Sequence, residues 1–551
     1  MPRAADLLVQ TLAAAGVQRV FCVPGESYLT VLDALYDAAG IAVIACRHEG
    51  GAAHMAEAHA KLTGGVGVCF VTRGPGATHA SIGVHTAFQD STPMLLFVGQ
   101  VARADRDRDA FQELDYARVF GGLAKWAGEV PSAARLEEYV ARALLIARSG
   151  RPGPVVLALP EDILDEQVDP ATPGLRLDPP AAGPVGPATA ADLAERLRQS
   201  ERPLFILGGS DWTAPAAEAV QAWAQRHAAP VALAFRRKHL IDNDSPVYVG
   251  DFGFGPAPHL IRAAREADLI VAIGTRLGEV VTQGYSLFTR GQTAAKLVHA
   301  HPEPAEIGRV WPVALGIAAG SARVAEALAG VSLRREWRDW SAPLRQAYDA
   351  YATPAAATGP VDPGRVFAQL RAALPPDAII CNGAGNYAAF LHRYFRHRGF
   401  GTQAAPTSGA MGYGLPAAVA AKLAYPQREV FAIAGDGCFL MSANELATAR
   451  QYEAAVRVLV FDNAGYGTIR MHQAKRFPGR VSGTRLENPD FAALARAFGA
   501  EAWRVERTEE FLPALEAARR AAGPALVHLC VSMEDIAPGQ RLSAMETVAN
   551  S

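Results

Sequence analysis

A chain of 551 residues is too long for one hydrophobic core and predicts about three domains. With 53 basic against 55 acidic side chains the formal charge is −2, which excludes a global field for nucleic acid or an anionic membrane, so any phosphate recognition must be local. No apolar run of about 18 residues and no signal-peptide pattern stands out, and Cys22, Cys46, Cys69, Cys381, Cys438 and Cys530 lack metal or redox spacing, so a cytoplasmic protein with reduced thiols is expected.

In chain order, residues 1–165 read as strand, turn and helix repeated. A helix over 3–15 leads to a strand at Val20 and the turn Pro24-Gly25. The strand Ile41 to Cys46 runs into Arg47-His48-Glu49-Gly50-Gly51 and a helix to Leu62. The strand Val66 to Val71 precedes Gly74-Pro75-Gly76, a further helix, and the strand Met94 to Val98. Such alternation predicts an α/β fold built on a doubly wound parallel sheet. Six prolines fall between Pro170 and Pro187, so residues 166–187 read as an extended linker. A second α/β unit is expected over 188–333, with strands near Leu204, Val231, Leu269 and Leu297. Its glycines at 250, 253 and 255 do not form a dinucleotide fingerprint. Residues 334–360 form a second, partly helical linker. Asp362-Pro363 reads as an N-cap and first-turn proline that open a third unit over 361–551.

Val430 to Met471 is the most informative stretch. One apolar strand ends in Gly435-Asp436-Gly437 and a second in Asp462-Asn463. Ser442 with Glu445 reads as a capping box, so a helix is expected to start there and return the chain to a parallel neighbour. A right-handed crossover would bring both strand ends to the edge where open α/β sheets bind ligands, so that Asp436 and Asn463, 27 positions apart, meet. An Asp carboxylate, an Asn amide and a loop carbonyl near Gly465 are hard oxygen ligands suited to magnesium, and the glycines at 435, 437, 465 and 467 let backbone amides approach a diphosphate.

Gly-Asp-Gly, 24 residues and a dipeptide ending in Asn resembles the diphosphate and magnesium motif of thiamine diphosphate (ThDP) enzymes. With RHEGGAAHMAEAHAKLTG, FVTRGPGATHAS, FQE at 111–113 and SGAMGYGLPAA, nearly the whole chain resembles the acetolactate (acetohydroxyacid) synthase branch. The resemblance implies pyrimidine-binding, central and diphosphate-binding domains, each a doubly wound parallel sheet. It also implies a homodimer or homotetramer with each cofactor between two subunits. Glu49 becomes the carboxyl that hydrogen-bonds the cofactor's aminopyrimidine, and Met411 the apolar wedge beneath the cofactor. Gly409 and the Met411 backbone would hold the pyrimidine. Gly383, Asn386, Tyr387, Gly435, Gly437, Cys438, Tyr466, Gly467 and Thr468 complete the cofactor set, while Asp436, Asn463 and Gly465 form the metal set.

The substrate side departs from the family pattern. Glu26 stands where a glycine is expected, Arg73 replaces a small residue, His79 replaces Asn, and His472 replaces the tryptophan that selects the second oxoacid. Asp462 replaces the first Asn of the magnesium motif. Glu26 and His79 become acid/base candidates, Arg73 a carboxylate clamp, and Gln112 a hydrogen-bonding partner of the bound intermediate. Biosynthetic members of the branch carry FAD. Arg276 sits in a comparable loop, but Leu277-Gly278-Glu279 lacks the expected acidic pair, so FAD is not favoured. The activity implied is decarboxylation of a small-molecule 2-oxoacid with carboligation. The alternatives are a non-ligating decarboxylase, a 2-hydroxyacyl lyase, and a silent ThDP-binding subunit.

Overall fold

A computed structural model describes residues 1–169, 177–178 and 183–549. Most of the proline-rich stretch from Pro170 to Pro187 lies outside the described residues. Three six-stranded parallel sheets follow one another along the chain, each enclosed by helices. The first contains β1 (Arg19–Cys22), β2 (Ala42–Ala45), β3 (Gly67–Val71), β4 (Met94–Gln100), β5 (Trp126–Glu129) and β6 (Pro154–Pro160), in spatial order β2-β1-β3-β4-β6-β5. The second contains β7 (Pro203–Leu207), β8 (Val231–Ala234), β9 (Tyr248–Phe252), β10 (Leu269–Ile273), β11 (Leu297–Ala300) and β12 (Leu315–Ile317), ordered β12-β11-β10-β7-β8-β9. The third contains β13 (Ile379–Asn382), β14 (Gln403–Ala404), β15 (Val430–Gly435), β16 (Arg457–Asp462), β17 (Glu501–Val505) and β18 (Ala525–Cys530), ordered β14-β13-β15-β16-β18-β17.

The first and third sheets therefore share one topology, and the second has the order of a nucleotide-binding fold. The central strands are continuous apolar runs, as expected where helices cover both faces. Asp362 caps the helix Pro363–Ala373 by accepting from the amides of Gly364 and Arg365, as its sequence predicts.

The first and third units meet through two alanine-rich helices, Glu49–Thr63 and Gly414–Ala424, whose small side chains share one core. Beside that contact, Lys61 Nζ lies 2.9 Å from Glu57 and 3.3 Å from Asp90, and Asp90 also takes Arg237 of the central unit at 3.0 Å and the Thr407 amide at 3.0 Å. Two buried carboxylates thus face two buried cations. Removing any one of the four would leave a charge uncompensated. No helix among the described residues is long and apolar enough to cross a membrane.

Candidate active site

β15 and β16 are hydrogen-bonded neighbours with Gly435 opposite Phe461, so Asp436 and the Asp462-Asn463 pair leave the sheet side by side. The helix expected at Ser442 is absent in that form. Asp436 opens a short helix, Asp436–Leu440, and a second runs from Glu445 to Gln451. Glu445 does not reach back to Ser442. Its carboxylate accepts the amides of Arg47 at 3.2 Å and His48 at 3.1 Å, from the first unit. Tertiary hydrogen bonds have taken the place of the local cap.

Asp436 is buried, and Oδ2 accepts from the Gly465 amide at 2.9 Å and Asn488 Nδ2 at 2.8 Å. Burial pushes its carboxyl above the usual carboxylate range despite those bonds. A divalent cation would relieve that strain on the charge, and the Asp436 carboxylate, Asn463 amide and Gly465 carbonyl are the donors magnesium takes. The residues present fit the ion. The diphosphate glycines are also needed for packing: a Cβ on Gly437 would sit 2.6 Å from the Tyr466 ring, and one on Gly435 2.9 Å from the Tyr387 ring.

Asp462, the departure from the family motif, is matched by two residues that no motif announces. Its Oδ2 lies 2.9 Å from His528 Nε2, and Asn488 Nδ2 bridges its Oδ1 to Asp436 at 2.8 Å on each side. Burial opposes a charge on His528, but Asp462 and Cys530 together outweigh it and the imidazole is pushed up to about 9. The extra negative charge is thus neutralised beside Asp436.

These donors line a cavity of about 550 Å³ between the central and third units. Of the residues expected at the cofactor, Asn386, Tyr387, Gly409, Met411, Gly435, Gly437 and Cys438 are in its wall, with Tyr466, Gly467, Thr468 and His472. Gly383 is not. It packs behind the wall, where a Cβ would meet Cys438 Sγ at 2.5 Å. The Asn386 and Tyr387 side chains are committed to the protein: Asn386 bonds Thr468 and the Ile536 carbonyl, and Tyr387 donates to Cys438 Sγ at 3.3 Å. Central-unit residues Phe235, Arg236 and Phe254 complete the wall and were not legible in the sequence, because only tertiary folding brings them there.

Glu49 is elsewhere. It begins the helix Glu49–Thr63, which His48 caps by accepting the Gly50 amide at 3.0 Å, and it is not in the wall of that cavity. Its Oε2 lies 2.8 Å from His79 Nδ1, and the rings of His48 and His79 stack with centroids 4.6 Å apart. Arg47, two residues before Glu49, donates instead to the Ala45 carbonyl and Gln451. His79 is therefore placed to hold Glu49.

Arg73 is buried at the end of β3, with its guanidinium paired to Glu161 and 3.7 Å from Glu26. Glu26 is 76% exposed. Their mutual pairing replaces the open substrate clamp expected of Arg73. Gln112 has a left-handed backbone (φ 63°), and its carbonyl accepts the Gly74 amide at 3.0 Å.

A second cavity, about 450 Å³, lies at the switch point of the central sheet, outside Gly208-Gly209 and Gly274-Thr275-Arg276. Its cations are committed to protein groups, Arg276 to the Gln89 carbonyl and Arg151 to the Phe88 carbonyl, Ser91 and Glu306. We assign no flavin to it.

Three family descriptions match consecutive parts of the chain: thiamine pyrophosphate enzyme, N-terminal TPP binding domain, over residues 2–119; the central domain over 190–328; and the C-terminal TPP binding domain over 383–529. Among curated relatives, the acetolactate synthase large subunit of Parasynechococcus marenigrum is 34% identical over 541 residues, covering 96% of this chain and 87% of its own. The acetolactate synthase isozyme 2 large subunit of Escherichia coli is 31% identical over 540 residues, covering 97% of this chain and 96% of its own. With its three parallel-sheet units and these relatives, the chain belongs to the thiamine diphosphate enzyme family, in the acetolactate synthase branch.

Proposed function

We propose that the protein is a ThDP- and magnesium-dependent enzyme that decarboxylates a 2-oxoacid and joins the retained fragment to a second carbonyl. The observation that carries this reading is the division of the site. Asp436, Asn463, Gly465 and Met411 line one cavity, while Glu49, bonded to His79, is not in its wall. A cofactor that needs both must lie between two subunits, so the working unit is a homodimer or homotetramer. Exposed Ile82 beside the Glu49 helix, and exposed Leu440, Met441 and Ile469 about the cavity, supply apolar surface for such a contact.

Asp436, Asn463 and Gly465 would hold the magnesium, and backbone amides around Gly435, Gly437 and Gly467 the diphosphate. When bound, ThDP supplies the carbon nucleophile and accepts the electron pair released with carbon dioxide. His79 Nδ1 engages Glu49 Oε2, which leaves Oε1 to share a proton with the aminopyrimidine. Met411, half-buried against the shared core, would serve as the apolar wedge against the cofactor. The six unpaired cysteines, five of them buried, suit a reducing cytoplasm.

A non-ligating decarboxylase or 2-hydroxyacyl lyase is the second reading, favoured by the His79 imidazole beside Glu49, a proton donor of the kind that ends a cycle without a second carbonyl. The test is to supply purified protein, ThDP and magnesium with a panel of 2-oxoacids and follow the products by NMR. Acetolactate from pyruvate supports the first reading and aldehyde alone the second. Inertness towards every acid counts against both decarboxylation readings.

A further inference from the structure

The turn after β8, Phe235-Arg236-Arg237-Lys238, sets three consecutive cations at the carboxyl edge of the central sheet. Two of them stitch the units together. Arg237 donates to the Gly209 carbonyl and pairs with Asp90, and Lys238 donates to the carbonyls of His392 and Phe395.

Arg236 differs. It is 5% exposed, with a left-handed backbone (φ 59°) that side-chain-bearing residues rarely adopt. Nη1 donates to the Pro406 carbonyl, while Nε is buried and has no hydrogen-bond partner among the described residues. The carboxylate of Asp90, which acts on it electrostatically, is already committed to Lys61, Arg237 and the Thr407 amide. A buried guanidinium without a carboxylate is costly unless a partner arrives from outside.

The surroundings say where that partner would arrive. Arg236 lines the same cavity as Asp436, Gly437 and Asn463. The other cationic side chains there are less available. Arg393 donates to the carbonyls of Tyr351 and Pro538 and covers the Tyr351 ring, and burial holds His392 neutral. The turn Gly383-Ala384-Gly385 carries no side-chain donor.

We propose that Arg236, from the central unit, is an anion-recognition residue of this cavity, whose guanidinium takes an oxyanion of a bound molecule, either a diphosphate oxygen of the cofactor or the carboxylate of an oxoacid. Burial lowers its pKa, a cost that such an oxyanion would offset. The diphosphate arm rests on the cofactor reading above; the carboxylate arm rests on the oxoacid reading.

The test uses full-length protein stripped of cofactor, as wild type, Arg236→Met and Arg236→Lys. Binding of inorganic pyrophosphate with magnesium is measured by calorimetry. After reloading with ThDP, the KM of a 2-oxoacid turned over by the wild type is compared with the inhibition constant of its methyl ester, which cannot lose carbon dioxide and serves only as an uncharged competitor. If the diphosphate is the partner, pyrophosphate binding weakens about 10- to 100-fold in Arg236→Met and partly recovers in Arg236→Lys, as the loss of a charge-assisted hydrogen bond implies. If the carboxylate is the partner, pyrophosphate binding is unchanged while the KM of the acid rises and the inhibition constant of the ester does not. Unchanged binding and unchanged KM, with only a lower melting temperature, would overturn the proposal and leave Arg236 as a prop for Pro406. Wild-type protein that ignores pyrophosphate would remove the diphosphate arm, and the acid-against-ester comparison on ThDP-loaded protein would then decide.

Discussion

His79 Nδ1 lies 2.8 Å from Glu49 Oε2, so the carboxyl expected to serve the cofactor is held by an imidazole at a position where the family pattern has Asn. Glu49→Gln should therefore keep magnesium and diphosphate binding yet lose turnover by about 10²–10⁴, the range of a lost acid/base group. His79→Leu leaves the carboxyl but frees its orientation, and a loss smaller than that of Glu49→Gln is expected. Stopped-flow or steady-state assay beside calorimetry of cofactor binding checks both. Full activity in Glu49→Gln would sink the assignment.

Asp436→Ala should abolish cofactor retention, because a buried carboxylate is the charged ligand of the proposed magnesium set. Thiamine content after desalting is the readout. An unchanged content would refute the ligand role.

The glycine after Gly50 serves the inter-unit contact. A Cβ on Gly51 would sit 2.3 Å from Glu445 Oε1, the oxygen that accepts the Arg47 and His48 amides. Gly51→Ala should cost about 1–3 kcal/mol, the usual penalty of overpacking, and lower turnover by shifting the start of the Glu49 helix. Wild-type melting and activity in this variant would show that the contact is soft.

Asp462 and His528 should behave as a coupled pair. Asp462→Asn and His528→Gln are each expected to lower the melting temperature, and the double variant should lose less than the sum, with a coupling of about 0.5–3 kcal/mol. Strict additivity would mean that the ion pair does not compensate the Asp462 charge.

Buried histidines set the acid limit. Burial holds His54 and His239 down at about 3, and His59 and His299 at about 4. The unfolded chain takes up protons below about pH 6.5 that the native state refuses, so their stability contribution is present above that pH and lost as pH falls. Between pH 6.5 and 5 each should contribute a slope of up to about 1.4 kcal/mol per pH unit. Urea midpoints across that window give the measurement, and His54→Gln should flatten the dependence. A slope unaltered by that change would contradict the assignment.

The juxtaposition of Asp436 and Asn463 was legible in the sequence because it depends on local facts: two apolar runs, each ending in polar and glycine residues, dictate parallel strands that end at one edge. The capping box at Ser442 was misleading because Glu445 finds its hydrogen bonds nearly 400 positions away, and such tertiary bonds override local propensity. Asn488 and His528 stand in no motif, and only folding brings them to Asp436 and Asp462. The pairing of Arg73 with Glu161 was hidden for the same reason, since Glu161 follows a different strand. The cavity wall supplied by Arg236 depends on how two units meet, which periodicity does not encode.

The most direct measurement is complementation between two inactive variants. Glu49→Gln and Asp436→Ala chains, co-expressed with different affinity tags and purified through both, give mixed pairs. If each site joins Glu49 of one subunit to Asp436 of the other, one site per mixed pair is intact and about half the wild-type activity should return. Mixed pairs as inactive as either parent would contradict a site shared between subunits.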